Sequence, residues 1–220
     1  MSGMKRQFED VTDEELMCLV QKGNMDAFSE LAWRYEGRLL SFLHRFVGNA
    51  SQAEDLLQGT LLRVYGARAR FKGSGRVSTW VYTIAANLAK DYLRKTKKYR
   101  FLSLETPVGP SSNVIDFFEA EGESASDSAQ KKEISRMVRL AVDRLPHHQR
   151  MAILLSHYEG MSYDEIAKIL RCSKGTVKSR VFRAKMKLKE FLADYLAGKE
   201  VAGSDEVQED DTTIAGISGS

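Results

Sequence analysis

Between Lys174 and Leu188 the chain reads KGTVKSRVFRAKMKL, which sets Lys178, Arg180, Arg183, Lys185 and Lys187 along about three turns of one helix. Cations at that density bind a polyanion, and their arrangement narrows which one. Val177, Val181, Ala184, Leu188 and then Phe191 or Leu192 recur at helical spacing and form an apolar stripe. Lys178, Ser179, Phe182, Arg183 and Lys185 lie off that stripe and face outward. Arginine and lysine pair with guanine acceptors in the major groove, and a phenyl ring such as Phe182 suits a thymine methyl. Arg180 and Lys187 are better placed for phosphates, contacts that fix register without reading sequence.

Such a helix needs a partner to present it. Ser162 with Glu165 forms a capping-box pair ahead of a short helix whose inner face is Ile166, Ala167 and Leu170. Arg171-Cys172-Ser173 then makes a tight turn, and Ser173 can cap the basic helix. Two helices around such a turn, the second entering the major groove, are a helix-turn-helix. The alternative is a solvated helix with basic decoration. The turn, the two caps and the outward Phe182 favour the DNA reading. One such unit covers few base pairs, and these units usually dimerise. No coiled-coil heptad is present, so a second DNA contact within the same chain is the other way to enlarge the footprint.

The charge distribution offers that contact. The 220 residues carry a net charge of only +3. Lys90, Arg94, Lys95, Lys97, Lys98 and Arg100 nevertheless form one basic block and residues 168–189 a second. Between them Glu105, Asp116, Glu119, Glu121, Glu123 and Asp127 are purely acidic, and another acidic run follows residue 200. A near-neutral total thus hides two nucleic-acid footprints. Cys18 and Cys172 belong to no metal-ligand spacing, and His147 and His148, as neighbours, point to different faces of a helix. No metal or cofactor is expected. No secretory signal or membrane-length apolar run is seen, which leads to the expectation of a cytoplasmic, nucleoid-associated protein.

The elements that carry these groups all read as helices. Thr12 with Glu15 opens the first, with Leu16, Leu19 and Val20; Gly23-Asn24 breaks it. Phe28 to Phe46 gives a longer one, ended by Gly48-Asn49. Ser51 with Glu54 suggests a capping box for a third, and Ser78 or Thr79 a cap for a fourth. Helical spacing returns at Lys131 and stops at Pro146, with a further helix over residues 148–158. The expectation is an all-α chain of two small helical domains joined by a flexible acidic linker. The boundaries are a flexible N-terminus over residues 1–11, domains over 12–97 and 131–196, a linker over 98–130, and a disordered acidic tail over 197–220.

Two stretches carry a family resemblance. AEDLLQGTLLRVY, followed by FKGSGRVSTWVYTIAANLAKDYLRK, resembles region 2 of extracytoplasmic-function (ECF) sigma factors, the sigma-70 family of bacterial RNA polymerase. RLPHHQRMAILLSHYEGMSYDEIAKILRCSKGTVKSRVFRAKMKLKEFL resembles their region 4. The order is right, and the spacing leaves no room for the middle domain of larger sigma factors. The resemblance implies a factor that binds core RNA polymerase at the clamp helices and flap of its large subunits, recognises −35 and −10 promoter elements and promotes transcription initiation. By matching positions, Asp55, Gln58, Leu62 and Arg63 would touch polymerase. Gly59 stands where the family usually has glutamate, a departure that could weaken docking.

Phe71, Lys72 and Asn87 would handle the −10 element, with Lys90, Arg94, Lys95 and Lys98 tracking phosphates. In that reading Phe71 offers a stacking surface, and Asn87 hydrogen-bonds a flipped base edge. Trp80 is either a strand-separating aromatic or a core residue. Lys178, Ser179, Phe182 and Arg183 would face −35 bases, with Arg180 on the backbone. The acidic linker would thread polymerase channels, and an anti-sigma factor is an implied partner. A stand-alone regulator would need an effector or dimerisation domain that the sequence lacks. A nucleic-acid-processing enzyme would need clustered acids held in fixed geometry.

Overall fold

Thr12 opens the first helix as the sequence predicts. Its hydroxyl accepts from the Glu15 amide at 3.3 Å, and the Glu15 carboxylate accepts from the Thr12 amide at 2.9 Å. That helix, α1, spans Asp13–Gln21 and buries Leu16, Met17 and Val20. The computed structural model describes residues 8–73, 75–102 and 125–204. Asn24 caps α2 (Met25–Val47), and Gly48, at φ 77°, closes it in the left-handed region that glycine enters freely. The cap of α3 (Ala50–Gly66) is Asn49, which accepts from the Gln52 amide. Ser51 was expected in that role, but it lies inside the first turn and is exposed. A one-turn 3-10 helix, η1 (Arg68–Arg70), leads into α4 (Val77–Leu102).

The second unit comprises α5 (Ala125–Asp143), α6 (His147–His157), α7 (Tyr163–Leu170) and α8 (Lys174–Ser204). Among the described residues there is no strand, in keeping with the all-α expectation. Several expected boundaries move. Phe8 is 4% exposed and belongs to the core, and Arg34 holds its carbonyl at 2.6 Å and that of Val11 at 2.8 Å. The chain is therefore anchored from residue 8, not from residue 12. Helix α4 continues to Leu102, α5 begins at Ala125 and α8 reaches Ser204, so all three run into segments read as linker or tail. Charge alone did not mark those ends, because lysine, glutamate and alanine are good helix formers. The rest of the linker, with its VIDFF stretch, and the tail from residue 205 lie outside the described residues.

The two units share one continuous core, running from Phe8 on one side to Ala184 on the other. Helix α6 lies against α2, and α7 against α4. Buried polar contacts cross the seam. Arg150 of α6 is 7% exposed and donates to the Phe46 carbonyl at the end of α2 at 2.9 Å, with the Asp143 carboxylate 3.2 Å away. Its second terminal nitrogen bonds the Asp143 carbonyl. A guanidinium at a helix C-terminus is favoured by the unpaired carbonyls there. The Glu159 carboxylate is 4% exposed and accepts from the Tyr82 hydroxyl and, at 3.4 Å, from Arg38. Burial, followed by the field of Glu159, pushes the Tyr82 phenol up from its ordinary value. Arg45 of α2 lies 4.0 Å over the ring of Tyr158.

Candidate nucleic-acid and polymerase interfaces

The helix-turn-helix forms as the sequence predicts. Ser162 and Glu165 exchange both capping-box bonds at 3.3 and 2.9 Å. The Ser162 hydroxyl also donates to the Glu165 carboxylate at 2.7 Å, and this bond, then the one from the Ser162 amide, holds the Glu165 carboxyl below the usual carboxylate range. The turn itself passes through Arg171 at φ 50° and ψ 53°, a left-handed conformation in a residue with a side chain. Ser173 accepts from the Thr176 amide at 3.1 Å, and Lys174 reaches Asp164 at 2.7 Å. Val177, Val181 and Ala184 are buried. Lys178, Ser179, Arg183, Lys185 and Lys187 are exposed, and Phe182 is 64% exposed. An aromatic so open on a cationic helix has no packing job among the described residues. Tyr163, Lys178, Ser179, Phe182 and Lys185 line an open groove of about 410 Å³. Arg180 is half-buried, with a nitrogen 3.8 Å from the Cys172 sulfur, so it is less free than its neighbours. Partial burial and the cations Arg180, Arg183 and Lys187 keep His148 below the usual histidine range.

The first unit places its predicted residues less uniformly. On α3, Asp55, Gln58 and Arg63 are exposed and Leu62 is 74% exposed, so these four lie open to a partner. Gly59 is half-buried, and a Cβ there would come 3.9 Å from Leu88 of α4, an ordinary contact. Its position faces α4 more than solvent. Leu62, Arg63, Gly66, Ala67, Arg70, Ile84 and Asn87 line one groove of about 500 Å³ between α3 and α4. Residues assigned to polymerase and a residue assigned to the −10 element therefore meet in one place. Arg70 joins them there; the RARFK string contained it, but nothing local distinguished it from Arg68. Arg68 instead folds back over Tyr65, 4.1 Å from the ring, and donates to the Tyr65 carbonyl.

Phe71 departs from the expectation. It is 7% exposed, and its ring lies 5.4 Å from that of Trp80. Phe71 packs inward and presents no stacking surface to a base, while Trp80 is half-buried and packs against the core from its edge. A phenyl flanked by arginine, lysine and glycine gave no periodic signal to reveal this. Lys72 and Lys95 are exposed, and Arg94 is exposed while paired with Asp91 at 3.1 Å. Lys98 falls within α4, but its side chain lies outside the described residues. Lys90 is half-buried at the seam; desolvation, then the nearness of Arg180 and Arg171, lowers its affinity for a proton.

Other residues around the loop carried no signal in the sequence. Gln21 donates to the carbonyls of Arg68 and Phe71, both at 2.9 Å. Glu14 accepts from the Val77 amide at 3.1 Å, and Arg76 pairs with Glu165 of the second unit at 3.2 Å. Among the described residues no cluster of histidine, cysteine or acids could hold a metal ion. No described helix is long and apolar enough to cross a membrane.

Comparison with known proteins decides the family. Residues 31–99 match the model of sigma-70 region 2, and residues 135–188 match that of sigma-70 region 4. The RNA polymerase sigma-H factor of Pseudomonas aeruginosa is 33% identical over 193 residues, covering 84% of this chain and 95% of that protein. The chain belongs to the ECF sigma factors of the sigma-70 family. The ECF RNA polymerase sigma-E factor of Escherichia coli is 34% identical over 187 residues, 80% of this chain and 92% of its own length. Among solved structures, the Bartonella quintana sigma factor RpoE, crystallised with the anti-sigma factor NepR, superposes with a TM-score of 0.62. It is 26% identical and covers 76% of this sigma factor and 96% of that chain. CnrH, in complex with the cytosolic domain of CnrY, shares the fold at 24% identity and a TM-score of 0.62, over 83% of this chain and 97% of that one. As a sigma factor, the chain binds core RNA polymerase, recognises −35 and −10 promoter elements and promotes transcription initiation.

Proposed function

We propose a division of that activity among particular residues. Lys178, Ser179, Phe182 and Arg183 read −35 base edges, while Arg180 and Lys187 hold phosphates. Lys72 and Asn87 engage the −10 strand, and Lys90, Arg94, Lys95 and Lys98 follow its backbone. Phe71 serves the same site from within, by fixing the loop on Trp80. Asp55, Gln58, Leu62 and Arg63 dock on the polymerase clamp helices, and the second unit meets the flap. The segment between α4 and α5 tethers a promoter-melting unit to a −35-reading unit. The chain performs no chemistry of its own; polymerase supplies it, in the cytoplasm, on the nucleoid. An anti-sigma factor restrains it, a reading supported by the anti-sigma partner seen with RpoE.

The observation that carries this reading is the shared groove between α3 and α4. Leu62 and Arg63 at one wall and Asn87 at the other support a reading in which polymerase docking and base capture share one helix pair. Transcription of genomic DNA in vitro with purified core polymerase, followed by mapping of RNA 5′ ends, tests it. Discrete starts preceded by a common pair of spaced elements are expected. Replacement of Asn87 by alanine should then slow open-complex formation more than initial binding, and permanganate footprints equal to wild type would remove Asn87 from the site.

A further inference from the structure

We propose that Gln21 is a positioning residue for promoter melting: from α1 it holds the loop entering α4 in the shape in which Lys72 and Asn87 meet the −10 strand. The inference rests on the assignment of that loop and helix to the −10 element. Both hydrogens of the Gln21 amide are used, one on the Arg68 carbonyl and one on the Phe71 carbonyl, each at 2.9 Å. Only the nitrogen can occupy that position, since the amide oxygen has nothing to donate to two carbonyls. The two acceptors bracket η1, so one side chain fixes the entry to the loop.

Glu14 lies seven residues earlier, on the same face of α1, and accepts from the Val77 amide at the first residue of α4. An unpaired amide at a helix start is satisfied there, and a carboxylate complements the positive end of the helix. Helix α1 therefore grips both ends of the loop, although it lies outside residues 31–99 that match the region 2 model. Between the grips, Lys72, Gly73, Gly75 and Arg76 are exposed. Inside, Phe71 holds the loop to Trp80. Gln21 is itself exposed and contributes nothing to the core, so a role in stability alone does not account for a bond pair aimed at these two carbonyls.

Replacing Gln21 separates position from fold. Gln21→Glu keeps length and helix propensity but sets a carboxylate against two carbonyl oxygens; Gln21→Ala removes the bonds. Each full-length variant is assembled with core polymerase of the source organism on a promoter recovered from the start-site mapping. Core affinity, thermal unfolding and the rate at which −10 thymines become permanganate-reactive are measured. Core affinity should match wild type, and the unfolding temperature should fall by no more than a few degrees. Melting by Gln21→Glu should slow roughly tenfold, equivalent to about 1.4 kcal/mol on the barrier. On a template already unpaired across the −10 element, the deficit should vanish. Wild-type melting, or an equal loss on duplex and pre-opened templates, overturns the proposal. Asn87→Ala, run in parallel, separates the two levels. If it slows melting and the Gln21 variants do not, the positioning role alone falls; if none slows melting, the −10 assignment falls with it.

Discussion

At the residue scale, two phenylalanines with similar surroundings in sequence have opposite fates. Phe182 sits on a helix whose other face is filled by Val181 and Ala184, so its ring has nowhere to go but outward. Phe71 sits in a loop and turns in against Trp80. Phe71→Ala should therefore cost about 3 kcal/mol in urea-induced unfolding, the usual penalty for emptying a buried aromatic site. Unchanged unfolding combined with lost promoter melting would return the ring to the DNA. Arg183→Ala should leave unfolding untouched and weaken promoter binding by the holoenzyme by ~1–3 kcal/mol, with less effect on random DNA. Competition binding against the two DNAs measures the difference. The cationic face was legible in sequence because helical period and charge coincide between Lys178 and Lys187. Gln21 was not legible, because its partners lie 47 and 50 residues away and any exposed glutamine looks alike.

At the element scale, the caps show what short-range chemistry determines. Thr12–Glu15 and Ser162–Glu165 both close as capping boxes. Ser51–Glu54 has the same pattern and does not, because Asn49, two residues earlier, sits where the backbone leaves the helix. The pattern specifies a possible start; the neighbouring glycine and asparagine decide which start is used. Ser162→Ala should lower stability by about 1 kcal/mol in denaturant titration. Glu165 adds a pH dependence. Its carboxyl titrates lower in the folded protein than in the unfolded chain, owing to the Ser162 bonds and then Arg76. Its contribution is complete above the unfolded value, near 4.3, and is lost as pH falls through the lower folded value. Wild type should lose stability in that acid window, and Glu165→Ala should lose less; parallel acid titrations by circular dichroism check it. Helix ends were the least legible feature, since nothing from Lys98 to Leu102 breaks a helix and the nearest breakers, Pro107 and Gly122, stand a few residues outside the true ends.

At the scale of the whole molecule, the sequence predicts two tethered units, and the structure joins them through one core. That seam could not be read in advance. Glu159 finds Tyr82 across 77 residues and Arg38 across 121. Arg150 finds Phe46 across 104, and no local pattern encodes such meetings. Arg150→Ala should remove about 2–3 kcal/mol, the scale of lost charged hydrogen bonds. It should raise amide hydrogen exchange at the end of α2 and in α6, while Arg183→Ala leaves both regions protected. Equal protection in the two variants would place the stability of the seam elsewhere.

Arg171 gives the turn of the second unit an unusual economy. A side chain at φ 50° is disfavoured by roughly 1–2 kcal/mol relative to the right-handed region, a burden glycine would lift. Arg171→Gly should accordingly leave the domain as firm or firmer on heating, while removing a positive charge from the bend that faces Lys90 and the cationic helix. Folding and charge placement make opposing demands on that one backbone position, so a variant selected only for heat resistance would tend to discard the guanidinium there.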